Sequence, residues 1–283
     1  MDKYYRDFKY KDKYVSDFGM IAIKSDNENE NGLSRELVKS SFSTHKRTLS
    51  VRGVKYKEPM KLKFLILKNP CISMDHMYMT REEVEYITEW LTSANKPEKL
   101  YLDSNIEEYY VGMFTDVETR FADDIYGINI TFECTSPYSF THHKRTFLSE
   151  NSATLYCQTI NNTSETEDYV YPIITIKGSI QGTINIIGNN CNMILNLQKT
   201  YSEVVIDNKN KMVFGDGKAL TFEEFGWNLD DMLNWNMINS NNKRGWIKLS
   251  RGSNNFTFTI PTASGKGYKV EIEYDTPKKS GGV

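Results

Sequence analysis

The residues of this sequence best suited to bind a metal ion are the adjacent histidines His142 and His143. Imidazole nitrogens are common zinc ligands, but a zinc site needs several ligands that converge on one point. Neighbouring side chains on an extended segment point to opposite sides, and no cysteine or carboxylate lies close to the pair in the sequence. We therefore interpret the two histidines as part of a surface linker and predict no metal site.

Two acidic pairs could supply general acids or bases. Asp123 and Asp124 form one pair, and Asp230 and Asp231 form the other. Carboxylates of this kind carry out proton transfer in many enzymes, but neither pair lies in a catalytic motif. Aspartates are equally typical of turns and helix caps, because their side chains bond to nearby main-chain groups. We interpret both pairs in that way.

A short glycine-containing segment, Gly215-Asp216-Gly217, resembles a phosphate-binding loop only in its glycines. No Lys-Ser or Lys-Thr pair follows that could open a helix on a phosphate, so we predict a hairpin turn. The chain also lacks the Gly-x-Ser-x-Gly elbow of serine hydrolases. The sequence therefore predicts no catalytic residue, no cofactor and no enzymatic activity.

Three tryptophans could serve a different chemistry, the binding of sugars. Trp227, Trp235 and Trp246 lie close together in the second half of the chain, and an exposed aromatic face can stack on a sugar ring. Large aromatic side chains more often pack in a core or at a sheet edge. We therefore interpret the three residues as packing residues of a core or sheet edge, and keep a glycan platform as the alternative.

The bulk composition excludes several classes of partner. The net charge is −2 and no basic stripe concentrates in either half, which argues against binding to a nucleic acid. No apolar run approaches the length of about 18 residues that a membrane span needs. The four cysteines have neither the C-x-x-C spacing nor a histidine at metal-ligand spacing, so we expect reduced, buried thiols. Tyrosines number 18, and such residues suit protein interfaces.

The first half of the chain contains its one strong helix pattern, over residues 80–94. Thr80 and Glu83 form a capping-box pair, and the apolar residues that follow recur on one side of a helix. Strands are predicted at residues 19–24, 59–67, 100–102, 109–114 and 128–134, and a hairpin within residues 41–56 around Gly53. This combination predicts an α+β domain, a β-sandwich or barrel with one helix.

Residues 128–134 mark the end of this first domain. Apolar residues alternate there with polar ones, as in a half-buried strand, and Thr135-Ser136-Pro137 then ends the strand. Beyond this point the sequence shows many short strand patterns separated by turn residues, and no convincing long helix. We predict an antiparallel sandwich or a jelly roll, so the chain is mainly β, with domains at residues 1–139 and 140–283.

The order of these segments resembles that of the distal tail proteins (Dit) of long-tailed phages that infect Gram-positive hosts. The resemblance covers most of the chain. The segment at residues 222–244 departs from it, because this segment is longer than that family leads us to expect. The matching segments are Phe8-Lys9-Tyr10, Ser16-Asp17-Phe18-Gly19-Met20, residues 59–67, Trp90-Leu91, Lys99-Leu100-Tyr101-Leu102, Tyr109-Tyr110-Val111-Gly112, residues 132–138 and 171–178, Val205-Ile206-Asp207-Asn208 and residues 249–256.

The resemblance implies a structural virion protein without catalysis. Its N-terminal domain would close into a hexameric ring, with a galectin-like or carbohydrate-module-like jelly roll outside it. The ring would join the tail tube protein to the tail tip or baseplate and its receptor-binding proteins, in a virion assembled in the host cytoplasm. A closed ring needs two different complementary patches on each subunit.

As contact elements of this ring we predict an aromatic N-terminal arm and the polar loop at residues 25–34. The arm residues are Tyr4, Tyr5, Phe8, Tyr10 and Tyr14. Two other functions stay open. The C-terminal domain could hold a cell-surface glycan as a carbohydrate-binding module, and an unrecognised hydrolase would require a catalytic pair that only the folded chain brings together.

Overall fold

The structure is a computed structural model, and it falls into two compact units. The N-terminal unit comprises Met1–Thr141 with Lys278–Val283, and the C-terminal unit comprises His142–Pro277. For residues 24, 35–40, 50–56 and 158 only the backbone is described. The described residues are 7–24, 35–40, 50–56, 60–72, 77–103, 105–122, 124–150, 154–166, 169–188, 191–227, 245–262 and 267–279.

The N-terminal unit is built from antiparallel strands and one helix, α1, at Arg81–Thr92. A short 3-10 helix at Val15–Phe18 connects two of the strands. The strands are β1 Phe8–Tyr10, β2 Lys13–Tyr14, β3 Met20–Lys24, β4 Arg35–Ser40, β5 Ser50–Tyr56, β6 Lys61–Lys68, β7 Glu98–Leu102, β8 Asn105–Ala122, β9 Asp124–Cys134 and the start of β10 Ser139–Ser149. Seven of them pair in the order β2-β1-β7-β8-β9-β6-β3. Strand β10 also pairs with β8, and β4 and β5 form a separate two-stranded sheet.

Helix α1 begins as its sequence predicts. The Thr80 hydroxyl accepts a hydrogen bond from the Glu83 main-chain N–H at 3.2 Å, and the Glu83 carboxylate accepts one from the Thr80 N–H at 2.7 Å. The same carboxylate lies 3.1 Å from Lys68 Nζ at the end of β6. Ile87, Trp90 and Leu91 are buried, so the helix packs on its unit by its apolar stripe. The predicted helix is confirmed, ending at Thr92 rather than at residue 94.

The strand predicted at residues 128–134 is also confirmed. Ile128, Ile130, Phe132 and Cys134 are buried, and they belong to the core cluster of the N-terminal unit together with the apolar face of α1. Strand β9 pairs with β6 on one side and β8 on the other. The alternation of apolar residues therefore fixes which face of this central strand meets the core.

The hairpin predicted within residues 41–56 is wrong in its register. Strand β5 pairs with β4, which lies upstream of the predicted segment, and Gly53 stands opposite Val38 inside the strand. The next pair joins Lys39 to Val51, so Arg52 is an extra residue on β5. Glycine therefore lies next to a β-bulge here and not in a turn. A glycine within a strand pattern is typical of both features, so the sequence does not distinguish them.

The C-terminal unit contains the rest of β10 and seven further strands. They are β11 Thr154–Asn162, β12 Ile173–Gly188, β13 Asn192–Asp207, β14 Met212–Gly215, β15 Lys218–Ala219, β16 Gly252–Thr259 and β17 Tyr268–Lys278. The sequence pattern predicts two separate strands here, at residues 172–177 and 183–187, but both belong to β12. Register shifts occur between Lys177 and Gly182, where the chain bends without turning back.

The bend divides the β12–β13 hairpin between two groups of strands. The first half of β12 pairs with β17, and its second half pairs with β16. The first group is therefore β14-β13-β12-β17-β10, and the second is β13-β12-β16-β11. Buried side chains from both groups form one core cluster. The chain is thus mainly β, as predicted. Among the described residues no helix is long and apolar enough to span a membrane.

Candidate functional site

The two histidines lie in strand β10, and the boundary between the units falls between Thr141 and His142, so the predicted linker is a strand. His142 Nδ1 is 2.8 Å from Asp275 Oδ1, and His143 Nε2 is 2.9 Å from Thr276 Oγ1. Both partners belong to the neighbouring strand β17. Each histidine bonds to its own partner, which follows from the alternation of side chains along a strand. Among the described residues no group of histidine, cysteine and carboxylate side chains is arranged to hold a metal ion.

The one acidic candidate whose position is described, Asp124, begins strand β9. Asp124 follows the β8–β9 connection, and its carboxylate accepts a hydrogen bond from the Ile125 N–H at 2.9 Å. Asp123, Asp230 and Asp231 lie outside the described residues.

The segment Gly215-Asp216-Gly217 is the predicted hairpin turn between β14 and β15. Asp216 and Gly217 both have positive φ, 46° and 78°. The Asp216 carboxylate accepts hydrogen bonds from the Ser202 hydroxyl at 2.6 Å and from the main-chain N–H of Glu203 at 3.0 Å. These bonds lower the pKa of Asp216 from its ordinary value, because they stabilise its charged form. The carboxylate thus supports a turn and binds no phosphate.

Three of the four cysteines are buried, as predicted, but Cys71 is exposed. It follows Asn69 and Pro70 at the end of β6, where Asn69 Oδ1 accepts a hydrogen bond from the Cys71 N–H at 3.0 Å. This side-chain-supported turn leads the chain away from the sheet. Burial raises the pKa of Cys134 and of Cys157 to about 12, since an ionised sulfur would lose its hydration there.

The predicted aromatic arm is in part a core strand of the N-terminal unit. Phe8 and Tyr10 belong to β1, which pairs with β7 of the same chain, and both side chains are fully buried. The ring of Phe8 stacks on that of Trp90 at 6.0 Å, and the ring of Tyr10 meets Phe114 edge-on at 5.0 Å. A side chain enclosed in its own core offers no contact area to another subunit. The interface prediction for Phe8 and Tyr10 is therefore corrected.

Tyr14, by contrast, is 40% exposed, and it stands at the end of a row of side chains across five strands. Strand pairing places Lys9 opposite Tyr14 and also opposite Tyr101, Tyr101 opposite Tyr109, and Tyr109 opposite Phe140. Residues paired in this way share one face of a sheet. We call this set, Lys9, Tyr14, Tyr101, Tyr109 and Phe140, the tyrosine row. It occupies the face opposite to that of Phe8 and Tyr10.

Ring contacts connect the members of the tyrosine row. The ring centroids of Tyr101 and Tyr109 are 5.5 Å apart, and those of Tyr109 and Phe140 are 5.8 Å apart. Lys9 Nζ lies 6.0 Å from the centroids of both Tyr14 and Tyr101. Stacked aromatic pairs and cations over ring faces each stabilise such an arrangement. The row is therefore preorganised before any partner arrives.

Lysines give the row its polar character. The Asp12 carboxylate, 3.1 Å from Lys9 Nζ, hydrogen-bonds to it and holds the pKa of Lys9 above its ordinary value. Lys99 Nζ lies 4.1 Å from the centroid of Tyr109, which is itself buried. Flat aromatic rings among lysine ammonium groups form a surface suited to contact with another protein. Sequence reasoning missed this row because only strand register brings its members together.

The described tryptophans of the second half are core residues, in agreement with the favoured interpretation, and the alternative role of Trp227 and Trp246 as a glycan platform is corrected. Trp227 and Trp246 are 4% and 6% exposed, and their rings pack on each other at 5.2 Å. Trp227 Nε1 donates a hydrogen bond to the Ile194 carbonyl at 2.6 Å. Neither ring presents a free face to solvent. Trp235, Tyr4, Tyr5 and residues 25–34 lie outside the described residues.

Comparisons with known proteins give a family match for the N-terminal part of the chain and a fold match for nearly all of it. Residues 3–136 match a family model described as a phage tail protein N-terminal domain. No curated protein matches the chain. Fold similarity extends further than the family match, since two solved bacteriophage structures cover nearly the entire chain.

The first of these structures is the Dit protein of phage SPP1, described as a paradigm of the hub adsorption apparatus in phages that infect Gram-positive bacteria. It is 10% identical, with a TM-score of 0.61 over 98% of this chain and 100% of that chain. The second is the baseplate of phage P2 in its activated conformation with Ca. It is 11% identical, with a TM-score of 0.54 over 97% of this chain and 99% of that chain.

Proposed function

We propose that this chain, a phage tail protein with its N-terminal domain at residues 3–136, is the distal hub of a phage tail. The observation that carries the proposal is the coverage of the SPP1 Dit structure, which extends over both units of this chain. The family and the fold are those of structural tail proteins and not of enzymes. The chain is accordingly a virion component that acts by assembly.

The hub is proposed to be a closed ring of six copies formed by the N-terminal unit. Ring closure by rotation places one patch of each subunit against a different patch of its neighbour. The tyrosine row is our candidate for one of these patches, with Tyr14 as its exposed end. This retains Tyr14 from the predicted arm and adds Tyr101 and Phe140, which are partly exposed on the same face. For Tyr4, Tyr5 and residues 25–34 the contact role stays a prediction.

The composition of the row supports this assignment. Tyrosine and other aromatic residues are enriched in protein interfaces because they combine a large contact area with few rotatable bonds. The ring contacts along the row hold its side chains in place, so little conformational entropy remains to be lost on binding. The Lys9–Asp12 pair at its edge resembles the polar rim that surrounds many interfaces.

The proposed partners follow from the position of a distal hub. One side of the ring would meet the tail tube protein, and the other the tail tip or baseplate with its receptor-binding proteins. The protein would be made in the host cytoplasm and retained in the virion at the tail tip. The fold similarity to the P2 baseplate supports this placement.

Mass measurement and imaging test the ring. Six copies of the 32.8 kDa chain give a closed assembly of about 197 kDa. We expect light scattering on the purified protein to find this mass and negative-stain images of the same sample to show rings with six-fold symmetry. A species that stays monomeric alone and also after addition of purified tail tubes would contradict the proposal.

The alternative function, glycan binding through the three tryptophans, is not supported by the two tryptophans that are described. Trp227 and Trp246 cannot stack on a sugar without leaving the core of the C-terminal unit. A glycan site on that unit would have to use residues other than Trp227 and Trp246.

A further inference from the structure

Strands β1 and β6 of the N-terminal unit face each other across its core. The rings of Phe8 on β1 and Phe64 on β6 lie 5.1 Å apart, and the ring of Tyr10 on β1 meets that of Phe132 on β9 at 6.2 Å. Side chains alternate along a strand, so the residues between these core residues point outward on the two sides of the unit. The tyrosine row is the outward surface on the β1 side. The unit therefore has a second outward surface, on the β6 side.

This second surface is aliphatic where β3 and β6 lie side by side. Strand register places Ile21 beside Leu67 and Ile23 beside Leu65, and all four alternate with buried residues of their strands. Ile23 is 36% exposed, and the other three are partly exposed. We call this set, Ile21, Ile23, Leu65 and Leu67, the aliphatic face. It contrasts with the tyrosine row, whose exposed side chains are aromatic.

A glycine on the next strand keeps the aliphatic face flat. Strand β9 pairs with β6, and Gly127 of β9 stands beside Leu67. A Cβ atom at Gly127 would lie 2.7 Å from Leu67 Cδ2 and 3.1 Å from Leu65 Cδ1, closer than ordinary van der Waals contact. The two leucine side chains thus lie over the glycine, where a larger residue would displace them. The face is therefore a shallow apolar surface that a flat group can approach closely.

Charged side chains border the aliphatic face. Lys61 and Lys63 continue the face along β6, and Lys61 Nζ lies 3.5 Å from the Glu133 carboxylate. In the other direction its two rows extend through β9 to Glu118 and Arg120 of β8, which are both exposed. An apolar centre with a charged border is the usual composition of a protein–protein interface. The face therefore has the chemistry of a surface that another protein covers.

We propose that the aliphatic face of one copy binds the tyrosine row of the next copy in the ring. This inference rests on the proposed hub, and it names the second of the two patches that its ring requires. Flat aromatic rings gain a large contact area on a flat aliphatic surface. The one charge within the row, that of Lys9, is already paired with Asp12 at 3.1 Å, so the contact buries no isolated ammonium group.

The placement of the two surfaces on opposite sides of the unit turns this contact into a ring. A surface that bound its own kind would give a two-fold dimer, because the same patch would meet itself. Contact between two different patches leaves one patch free at each end of every oligomer, so copies add until rotation closes the assembly. Tyr14 and Ile23 are 40% and 36% exposed, so each surface offers one side chain for the first contact.

The test removes one patch at a time from the full-length chain. Ile23→Asp places a charge in the aliphatic face, and Tyr14→Asp places one in the tyrosine row. Under the conditions in which the wild type forms rings, alone or on purified tail tubes, we expect assembly of either variant to weaken at least about ten-fold. Ile173→Asp, at a strand position that is 40% exposed in the C-terminal unit, is the matched control and should form the ring.

An equimolar mixture of the two variants distinguishes this contact from any other. The intact tyrosine row of the Ile23→Asp variant binds the intact aliphatic face of the Tyr14→Asp variant, and no third copy can join. We therefore expect a heterodimer of about 66 kDa and no larger species. Analytical ultracentrifugation over a concentration series measures its mass, and an affinity tag on one variant shows that the other is bound to it.

Crosslinking keeps the test valid if an aspartate variant fails to fold. Leu65→Cys and Tyr101→Cys are introduced together with Cys71→Ser, which removes the exposed thiol, while the other three cysteines are buried. The two new thiols lie on opposite sides of the core of their own chain, so a short bismaleimide joins them only between copies. We expect a ladder of crosslinked species up to the full ring. Replacing Leu65→Cys by Lys177→Cys, in the C-terminal unit, should abolish the ladder.

The outcomes separate this contact from the hub function. Normal rings from the Ile23→Asp variant, or the absence of both the heterodimer and the ladder while the wild type forms rings, would overturn the contact and leave the hub standing. A wild type that forms no ring even on tail tubes would overturn both.

Discussion

The indole Nε1 of Trp90 donates a hydrogen bond to the main-chain carbonyl of Tyr10 at 3.2 Å. This single bond joins helix α1 to strand β1, although 80 residues separate the two positions in the sequence. The rings of the same residues meet edge-on at 6.2 Å. The contact helps to hold residues 8–10 as a strand of the core instead of a free arm.

Replacing Trp90 by Phe should destabilise the N-terminal unit. The substitution removes the donor of a buried hydrogen bond and shrinks a ring that packs on Phe8, so we expect a loss of about 2–4 kcal/mol. Chemical denaturation followed by circular dichroism measures the change. Trp227→Phe removes a comparable bond in the C-terminal unit and serves as the control. Equal effects of the two variants on a single shared transition would show that the units do not unfold independently.

Tyr10→Phe should have the opposite effect. The Tyr10 hydroxyl is buried without a hydrogen-bond partner, so its removal should stabilise the protein by about 1 kcal/mol. Burial also raises the pKa of Tyr10 from 10.0 to about 12. The folded state then holds the proton more tightly than the unfolded state, and stability that is complete below pH 10 falls as the pH rises toward 12.

The pH dependence supplies the measurement for this substitution. Tyr10→Phe should lose less stability than the wild type between pH 9 and pH 11 in denaturant titrations. Tyr268→Phe is the matched control: burial also raises the pKa of Tyr268 to about 12, but its hydroxyl donates to the Phe258 carbonyl at 3.3 Å. That variant should therefore be destabilised at neutral pH. Destabilisation by Tyr10→Phe as well would mean that the Tyr10 hydroxyl has a partner.

Tyr14→Asp tests the tyrosine row as an assembly surface. A carboxylate at the exposed end of the row removes aromatic contact area and would have to be desolvated in the interface. We expect ring formation to weaken at least about ten-fold, with an unchanged melting temperature of the single chain. Tyr171→Asp, at a position with the same 40% exposure in the C-terminal unit, should leave the ring intact. If the Tyr14 variant forms rings normally, the tyrosine row is not part of the ring interface.

Thiol labelling checks the placement of the cysteines. At pH 8 only Cys71 should react rapidly with iodoacetamide, since it is exposed. Cys134 and Cys157 should stay unmodified, because they are inaccessible and their pKa of about 12 leaves almost no thiolate. Peptide mass mapping before and after denaturation distinguishes the sites. Fast labelling of Cys134 in the native protein would contradict the core described for the N-terminal unit.

Local sequence patterns were sufficient for the elements whose stability depends on neighbours along the chain. Thr80 and Glu83 cap α1 as predicted, Asp216 and Gly217 form the predicted turn, and the alternation at residues 128–134 gives a central strand. The mainly β character and the resemblance to distal tail proteins are confirmed as well. Capping, turn geometry and period-two burial are all decided within a few residues.

What the tertiary structure alone decided is which aromatic side chains are enclosed and which are displayed. Phe8 and Tyr14 are both aromatic residues that alternate with charged residues near the start of the sequence. Even so, Phe8 is fully buried and Tyr14 is 40% exposed. The difference arises because β1 pairs with β7, a strand about ninety residues away, and is covered by α1 on one face only. Likewise Trp246 is buried in the core of its unit, whereas Tyr156 is 68% exposed. Burial is a property of contacts between distant segments, and a sequence read locally does not contain the strand register that creates them.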